Sequence, residues 1–268
     1  MKYWKNTATL DHLLPELLQT VGANEAEVAV IGSKAIDLEV MSNLKGIFKC
    51  GVGTDNVPFA DAKERGIEIC LPSEKTQRYI FEETANFAVY LIFRMLYADI
   101  GSLERWEKRS RVFLGNQKVL VLGQGNIGKM VSNKLTPFVK VLSFDVAVNE
   151  MSELQSLMEQ ADVISLHIPL DEQTRNFIDV EKMSWMKDGA SIVNTARGPV
   201  VDEDALYMEV STGRLRAAFD VYWKEPYQGK LREHHTDKFL MTPHVSSNCE
   251  DFLIGLADDL KEFVNKLS

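Results

Sequence analysis

The sequence predicts an α/β protein built from two parallel-sheet domains, and three observations carry that expectation. Short apolar, often β-branched runs of four or five residues alternate with stretches of helical periodicity, in one series before residue 86 and a second from residue 118 onward. A chain of 268 residues exceeds what one hydrophobic core usually organises, so two modest domains are expected. Hydrophobic residues make up 45% and charged residues 26%, a globular balance that removes disordered and low-complexity classes.

In chain order, Leu10, Leu13, Leu14, Leu17, Leu18 and Val21 form an apolar stripe at helical spacing. Residues 27–31 read as a strand closed by Gly32, 36–44 as a helix and 46–50 as a second strand. The run Gly51-Val52-Gly53-Thr54-Asp55-Asn56 follows at that strand's end; a helical stretch with Ala60, Ala62 and Lys63 leads to a third strand over 67–71, stopped by Pro72. From Phe81 to Tyr97 the pattern is helical and apolar, a buried or interface helix. The charged segment 102–111 around Trp106 reads as a surface helix with one anchoring aromatic. The second series runs strand 118–122, helix to 135, strand 139–144, helix 150–158, strand 163–167, helix 180–186, strand 191–194, helix 203–211, and strands 217–219 and 239–241. This register of short loops predicts a doubly wound sheet. An amphipathic helix carrying Phe252, Leu253, Leu256, Leu260, Phe263 and Val264 closes the chain.

The net charge of −9 repels phosphate backbones and anionic lipid, so neither nucleic acid nor a membrane is an expected partner. Cys50, Cys70 and Cys249 are too few and too far apart for a disulfide framework or a CxxC zinc site; no metal is expected, and a reducing cytoplasm fits. The longest apolar stretch, 85–97, is interrupted by Asn86 and Arg94, and no apolar run follows the N-terminal lysines, so neither a spanning helix nor a secretory signal is expected.

Gly123-Gln124-Gly125-Asn126-Ile127-Gly128 matches G-x-G-x-x-G directly after the strand 119–122 and opens a helical segment. Gly123 permits the tight turn, Gly125 the approach of backbone to a pyrophosphate, and Gly128 close packing of helix on strand, while amides at the helix start face the phosphates. Asp145 stands 17 residues beyond Gly128 at the end of the next strand, where a carboxylate accepts hydrogen bonds from ribose hydroxyls and repels a 2′-phosphate. Nothing basic occupies positions 146–148. NAD is therefore favoured over NADP, with SAM or flavin as the alternative on a Rossmann-type sheet.

Further strings stand downstream: Asn194-Thr195-Ala196-Arg197-Gly198, GRLRAAFDVYWKEP over 213–226, and Thr242-Pro243-His244-Val245. With GVGTDNV at 51–57 and SLHIPL at 165–170, the chain resembles the D-isomer-specific 2-hydroxyacid dehydrogenases, the family that includes D-3-phosphoglycerate dehydrogenase. The resemblance spans about residues 28–249. It implies a Rossmann NAD domain over 87–246 and a smaller flavodoxin-like substrate domain over 1–86 and 247–268. It implies Arg197 as the substrate-binding arginine, Glu225 as the acidic partner and His244 as the acid/base residue. It places Thr195, Ala196, Asp220 and Ser246 at the nicotinamide, His167, Ile168 and Pro169 at its ribose, and Asn126 and Ile127 in the phosphate turn. It assigns Val52 and Gly53 to the amide nest that grips a carboxylate, braced by Asn56. Where the family commonly has small residues after the histidine, this chain has Ser246 and Ser247.

The chemistry agrees with those types. Interconverting a 2-keto acid and a D-2-hydroxy acid needs a hydride carrier, a reversible proton donor and a cation for the carboxylate. Histidine titrates near neutrality, a neighbouring carboxylate favours imidazolium and orients it, and arginine is a permanent forked cation. The resemblance also implies a homodimer through the NAD domain, with the helix from Phe81 and the Trp106 segment as contacts. Two alternatives share the fold: a catalytically weak NAD(H)-sensing scaffold of the corepressor type, and an enzyme acting on formate or phosphite. Lys34, Lys49, Lys75 and Arg78 are candidates for a phosphate or second-carboxylate site.

Overall fold

The N-terminal series folds into a four-stranded parallel sheet: β1 (Tyr3–Lys5), β2 (Val28–Ile31), β3 (Gly46–Lys49) and β4 (Glu68–Cys70), neighbours in that order. The computed structural model describes residues 1–268, which divide into unit 1, 1–80 with 247–268, and unit 2, 81–246. The first division falls six residues before the boundary at 86 read from the sequence.

In unit 1, β2 and β3 are buried along their whole length, and the two-residue strand period sends their side chains to two cores. Val28, Val30 and Phe48 join Leu10, Leu14 and Leu17 and the apolar face of the C-terminal helix, Glu250–Leu267. Ala29, Ile31 and Ile47 pack with Leu38, Met41 and Ile67, and with Ala62 of α1 (Phe59–Glu64). A Cβ on Gly46 would lie 2.6 Å from the Phe263 ring, so glycine here lets the C-terminal helix rest on β3.

Unit 1 corrects several expectations. The stripe from Leu10 to Val21 is a set of turns with a short 3-10 segment, Pro15–Leu18: Pro15 has no N–H to continue an α-helix through the stripe. Leu10, Leu14 and Leu17 still reach the core, while Leu18 stays exposed. Residues 36–44 form turns in which the Asp37 carboxylate captures the Glu39 amide (2.9 Å), competing with helical bonding. The sheet itself is parallel throughout and keeps chain order.

α2 (Glu74–Leu96) begins seven residues earlier than the sequence pattern indicated and is assigned to unit 1 through Ile80 and to unit 2 from Phe81. After it, 102–111 is not a helix: β5 (Gly101–Ser102) and β6 (Glu107–Lys108) form a small antiparallel hairpin. Its tip residue Trp106 is 79% exposed and anchors nothing within the chain.

The rest of unit 2 is β7 (Lys118–Leu122), α3 (Asn126–Leu135), β8 (Lys140–Phe144), α4 (Met151–Gln160), β9 (Val163–Leu166), α5 (Val180–Ser184), β10 (Ser191–Asn194), α6 (Glu203–Thr212), β11 (Arg216–Phe219) and β12 (Phe239–Met241). The six strands from β7 onward form one all-parallel sheet, in order β12-β11-β10-β9-β7-β8. Apolar side chains of α2 and α3 cover one face and those of α4, α5 and α6 the other, the doubly wound arrangement read from the sequence. No helix is long and apolar enough to cross a membrane.

Candidate active site at the carboxyl edge of the unit 2 sheet

The register sets the site. Phe144, Leu122, Leu166, Asn194, Phe219 and Met241 form one row across the sheet, each the last residue of its strand. Because all six strands are parallel, the segments that follow them emerge on one edge, and the order reverses between β8 and β9 on either side of β7. Ligands of open α/β sheets bind at that reversal.

The glycine loop lies there. Gly123 has φ +97, and a Cβ on it would sit 2.5 Å from the His167 carbonyl oxygen; a Cβ on Gly128 would sit 1.9 Å from the Gly123 carbonyl oxygen. Those two glycines let α3 press against the β7 turn. Gly125, at the N-cap of α3, has nothing within 4 Å of its Cβ position, so the backbone there faces open space ahead of the helix. Asp145 accepts the Gln124 amide on Oδ2 (2.7 Å) and the Ala147 amide on Oδ1 (2.9 Å). These amide bonds, with the Lys129 charge, outweigh burial and hold its carboxyl below the usual range. One lone pair remains on each oxygen for a diol.

At the end of β9, His167 Nε2 pairs with the buried Ser165 hydroxyl (2.8 Å), and burial pushes the imidazole down to about 4. Ile168 is partly buried and Pro169 exposed. At the end of β10, Thr195 is buried and its Oγ1 has no hydrogen-bond partner, an orphan polar atom beside the strand ends. An unsatisfied buried hydroxyl is costly unless a ligand completes it. The glycine cradle, the diol-ready Asp145, the absence of a cation at 146–148 and this orphan hydroxyl together fit NAD.

Three side chains converge on the same edge of unit 2. His244 Nδ1 lies 2.8 Å from Glu225 Oε2, and the Tyr222 amide donates to Glu225 Oε1 (3.1 Å). Burial pushes the Glu225 carboxyl up, but the bond and charge of His244, the Tyr222 amide and the Arg197 charge together bring it below its ordinary value. Arg197 therefore lies within electrostatic reach of the pair. Its Nη1 also donates to the Ala196 carbonyl (2.7 Å).

The supporting residues are less evident in the sequence. Asn194 is fully buried, takes the Ala196 amide on Oδ1 and donates to the Arg197 carbonyl (2.9 Å each), folding the turn that carries Arg197. A buried polar residue at the end of the strand, three positions before the arginine, was the available signal. Asp220, assigned by resemblance to the nicotinamide, is 0% exposed and clamps the histidine segment. Its Oδ1 takes the Thr242 hydroxyl (2.6 Å) and the Val245 amide (3.0 Å), and its Oδ2 takes the amide of the buried Ser246 (2.8 Å). The clamp holds His244 at φ +54, a left-handed conformation that costs a non-glycine residue about 1–3 kcal/mol.

In unit 1, Val52 and Gly53 follow β3, in a loop entered through Gly51. Asn56 donates to the Gly32 (2.9 Å) and Lys34 (2.7 Å) carbonyls, tying that loop to the one after β2. Lys49 is 3% exposed, and its ammonium donates to the Gly32 carbonyl (2.5 Å) and to Asn56 Oδ1 (2.7 Å). Lys34, Lys75 and Arg78 are exposed.

Residues 97–246 match the family model described as D-isomer specific 2-hydroxyacid dehydrogenase, NAD binding domain. The chain is 34% identical to the hydroxypyruvate reductase of Thermotoga maritima, over 96% of this chain and 90% of that one. The chain belongs to the D-isomer specific 2-hydroxyacid dehydrogenases. Another member, the glyoxylate reductase of Thermofilum pendens, is 31% identical over 87% of this chain and 75% of its own. Among solved structures of the fold, the D-lactate dehydrogenase of Aquifex aeolicus, complexed with NAD and lactic acid, superposes with a TM-score of 0.76 at 26% identity. That match covers 91% of this dehydrogenase and 83% of the other. The TT0316 protein of Thermus thermophilus gives a TM-score of 0.76 at 25% identity, over 99% and 97% of the two chains. Unit 2 thus carries the family's NAD-binding domain, and the enzyme is NAD-dependent.

Proposed function

We propose that this dehydrogenase interconverts a small, unphosphorylated D-2-hydroxy acid and its 2-keto acid, with Arg197, Glu225 and His244 as its working side chains. The observation that carries this reading is the 2.8 Å contact between His244 and Glu225 at the carboxyl edge of the unit 2 sheet. NADH supplies the hydride for reduction of the carbonyl carbon. Glu225, ionised and fixed by the Tyr222 amide, accepts Nδ1–H of His244, which leaves Nε2 to deliver a proton to the developing alkoxide. In the oxidative direction the same nitrogen takes the hydroxyl proton back. Arg197 binds the substrate carboxylate and polarises the keto oxygen as a forked, permanent cation.

On this reading the ribose hydroxyls bond to Asp145, and the pyrophosphate meets Gly125, Asn126, Ile127 and Gly128. The nicotinamide end packs near His167, Ile168, Pro169, Thr195, Ala196, Asp220 and Ser246. Unit 1 is the proposed substrate-binding domain, with Val52 and Gly53 as its candidate substrate-binding residues. Lys49 weighs against a phosphate at its own position, because its buried ammonium already donates to Gly32 and Asn56, whereas Lys34, Lys75 and Arg78 stay exposed. Two relatives' names, hydroxypyruvate reductase and glyoxylate reductase, point the same way, while others at 30–31% identity are D-3-phosphoglycerate dehydrogenases.

A panel of glyoxylate, pyruvate, hydroxypyruvate and phosphohydroxypyruvate, followed by NADH oxidation, tests the reading. It expects turnover of the first three and a markedly lower kcat/KM for the phosphorylated acid. Tight NADH binding without turnover of any acid would favour the sensing scaffold instead. The proposed partner is a second copy of the chain, seated on the Trp106 segment, where the apolar side chains of Leu103 and Trp106 are 81% and 79% exposed.

A further inference from the structure

Tyr222 touches all three segments that carry the proposed working side chains. Its backbone N–H donates to Glu225 Oε1 (3.1 Å). Its hydroxyl lies 2.8 Å from the Thr242 carbonyl oxygen and 2.8 Å from that of Phe219, and accepts the Thr242 amide at 3.0 Å. The Thr242 carbonyl is also the acceptor for the His244 amide (3.1 Å), so the hydroxyl and the catalytic histidine's backbone meet on one oxygen. On its other side, Gly198 packs directly on the backbone of Tyr222 and Trp223: a Cβ there would lie 2.1 Å from the Tyr222 carbonyl carbon. Trp223 Nε1 adds a bond to the Val201 carbonyl (2.7 Å), four residues past Arg197. The Tyr222 ring is 8% exposed and stacks on Tyr227 with centroids 5.0 Å apart.

We propose that Tyr222 is the positioning residue that holds the Arg197, Glu225 and His244 segments in register, its hydroxyl setting where the histidine stands relative to Glu225. This rests on the assignment of those three residues above. The physical reason is that the strand ends alone fix only where each segment begins. Glu225 lies six residues past the end of β11 and His244 three past β12. Something must tie the two loops together if a proton donor is to keep its place, and a fraction of an ångström matters to proton and hydride transfer.

Tyr227 supplies a matched comparison. It belongs to the same stack, but its hydroxyl donates to Glu203 (2.7 Å) and accepts the Leu231 amide (3.3 Å), away from the histidine segment. The experiment measures kcat, KM for hydroxypyruvate, NADH affinity and the pH profile of the full-length protein and three variants: Tyr222→Phe, Tyr227→Phe and Glu225→Gln. Tyr222→Phe keeps the ring and removes one hydroxyl, and an NADH affinity within about twofold of the parent certifies that unit 2 is folded. The expected result is a fall of about tenfold in kcat for Tyr222→Phe, KM within about twofold, and a high-pH limb displaced to lower pH as the Glu225 contact loosens. Tyr227→Phe keeps the parent's kcat and pH limb. Tyr222→Phe indistinguishable from Tyr227→Phe, with Glu225→Gln strongly impaired, would overturn this inference and leave the catalytic assignment standing. Full activity in Glu225→Gln would overturn the assignment itself.

Discussion

Gly125 and Gly128 separate what the glycine loop does for the fold from what it does for the cofactor. Alanine at 128 puts a methyl 1.9 Å from the Gly123 carbonyl oxygen and 3.4 Å from the His167 Cβ. Restoring an ordinary contact of about 3.5 Å means moving α3 away from the β7 turn by roughly 1.5 Å. Overpacking of that kind costs about 1–3 kcal/mol, and in a unit of this size each kilocalorie lowers Tm by about 2–4 °C. The amides of the α3 start move with the helix, so NADH affinity falls as well. Alanine at 125 is different: φ −73 and ψ −161 suit any residue, and nothing lies within 4 Å of the added methyl. Stability should stay within about 0.5 kcal/mol of the parent. If the pyrophosphate occupies that space, the methyl meets it, and Kd for NADH rises at least about tenfold, a loss of roughly 1.4 kcal/mol. Fluorescence titration with NADH beside thermal melting reads both quantities. A Gly125→Ala variant that melts like the parent and binds NADH equally well would refute the placement of the pyrophosphate.

Asp145→Ala removes the carboxylate that repels a 2′-phosphate, so the ratio of kcat/KM for NADH over NADPH should fall by an order of magnitude or more; an unchanged ratio would dissociate Asp145 from the ribose. Trp106→Glu puts a charge on the exposed hairpin tip and should shift sedimentation toward the monomer without lowering the Tm of the monomer; an unaltered sedimentation profile would place the contact elsewhere. His167 has a folded-state value of about 4, below the ordinary 6.5, so the unfolded chain binds the extra proton in that window. The stability tied to its neutral form is complete above pH 6.5 and drains as pH falls toward 4. Between pH 6.5 and 5 the parent should lose Tm while His167→Gln loses less, and equal slopes would remove His167 as the cause.

The parts of the molecule that were legible in the sequence are those written in local pattern. The runs at 119–122, 163–166 and 191–194 are short, apolar and flanked by turn residues, and each became a strand of the unit 2 sheet. The glycine loop declared both its turn and its helix. β1 was not legible, because Tyr3-Trp4-Lys5 has too little length and no alternation; it becomes a strand by pairing with the buried β2. The stripe at Leu10 was legible as core but not as conformation, since Pro15 decides the latter. The hairpin at Trp106 fails as a helix because its residues have no core to face. In the site, it was the resemblance of the motifs at 194–198, 213–226 and 242–245 to the family that pointed to Arg197, Glu225 and His244 as the proposed working side chains. The ties that hold them, Asn194, Asp220 and Tyr222, act across 3 to 26 residues of separation and exist only once the strand ends are aligned.

If His244 carries the proton as proposed, its loss slows the chemical step and leaves the NAD site intact. The decisive measurement is single-turnover oxidation of NADH by hydroxypyruvate in His244→Gln, with NADH affinity measured on the same protein. The expected rate is reduced by about 10²–10⁴, the usual contribution of a positioned acid, at unchanged NADH affinity. A rate within threefold of the parent would contradict it.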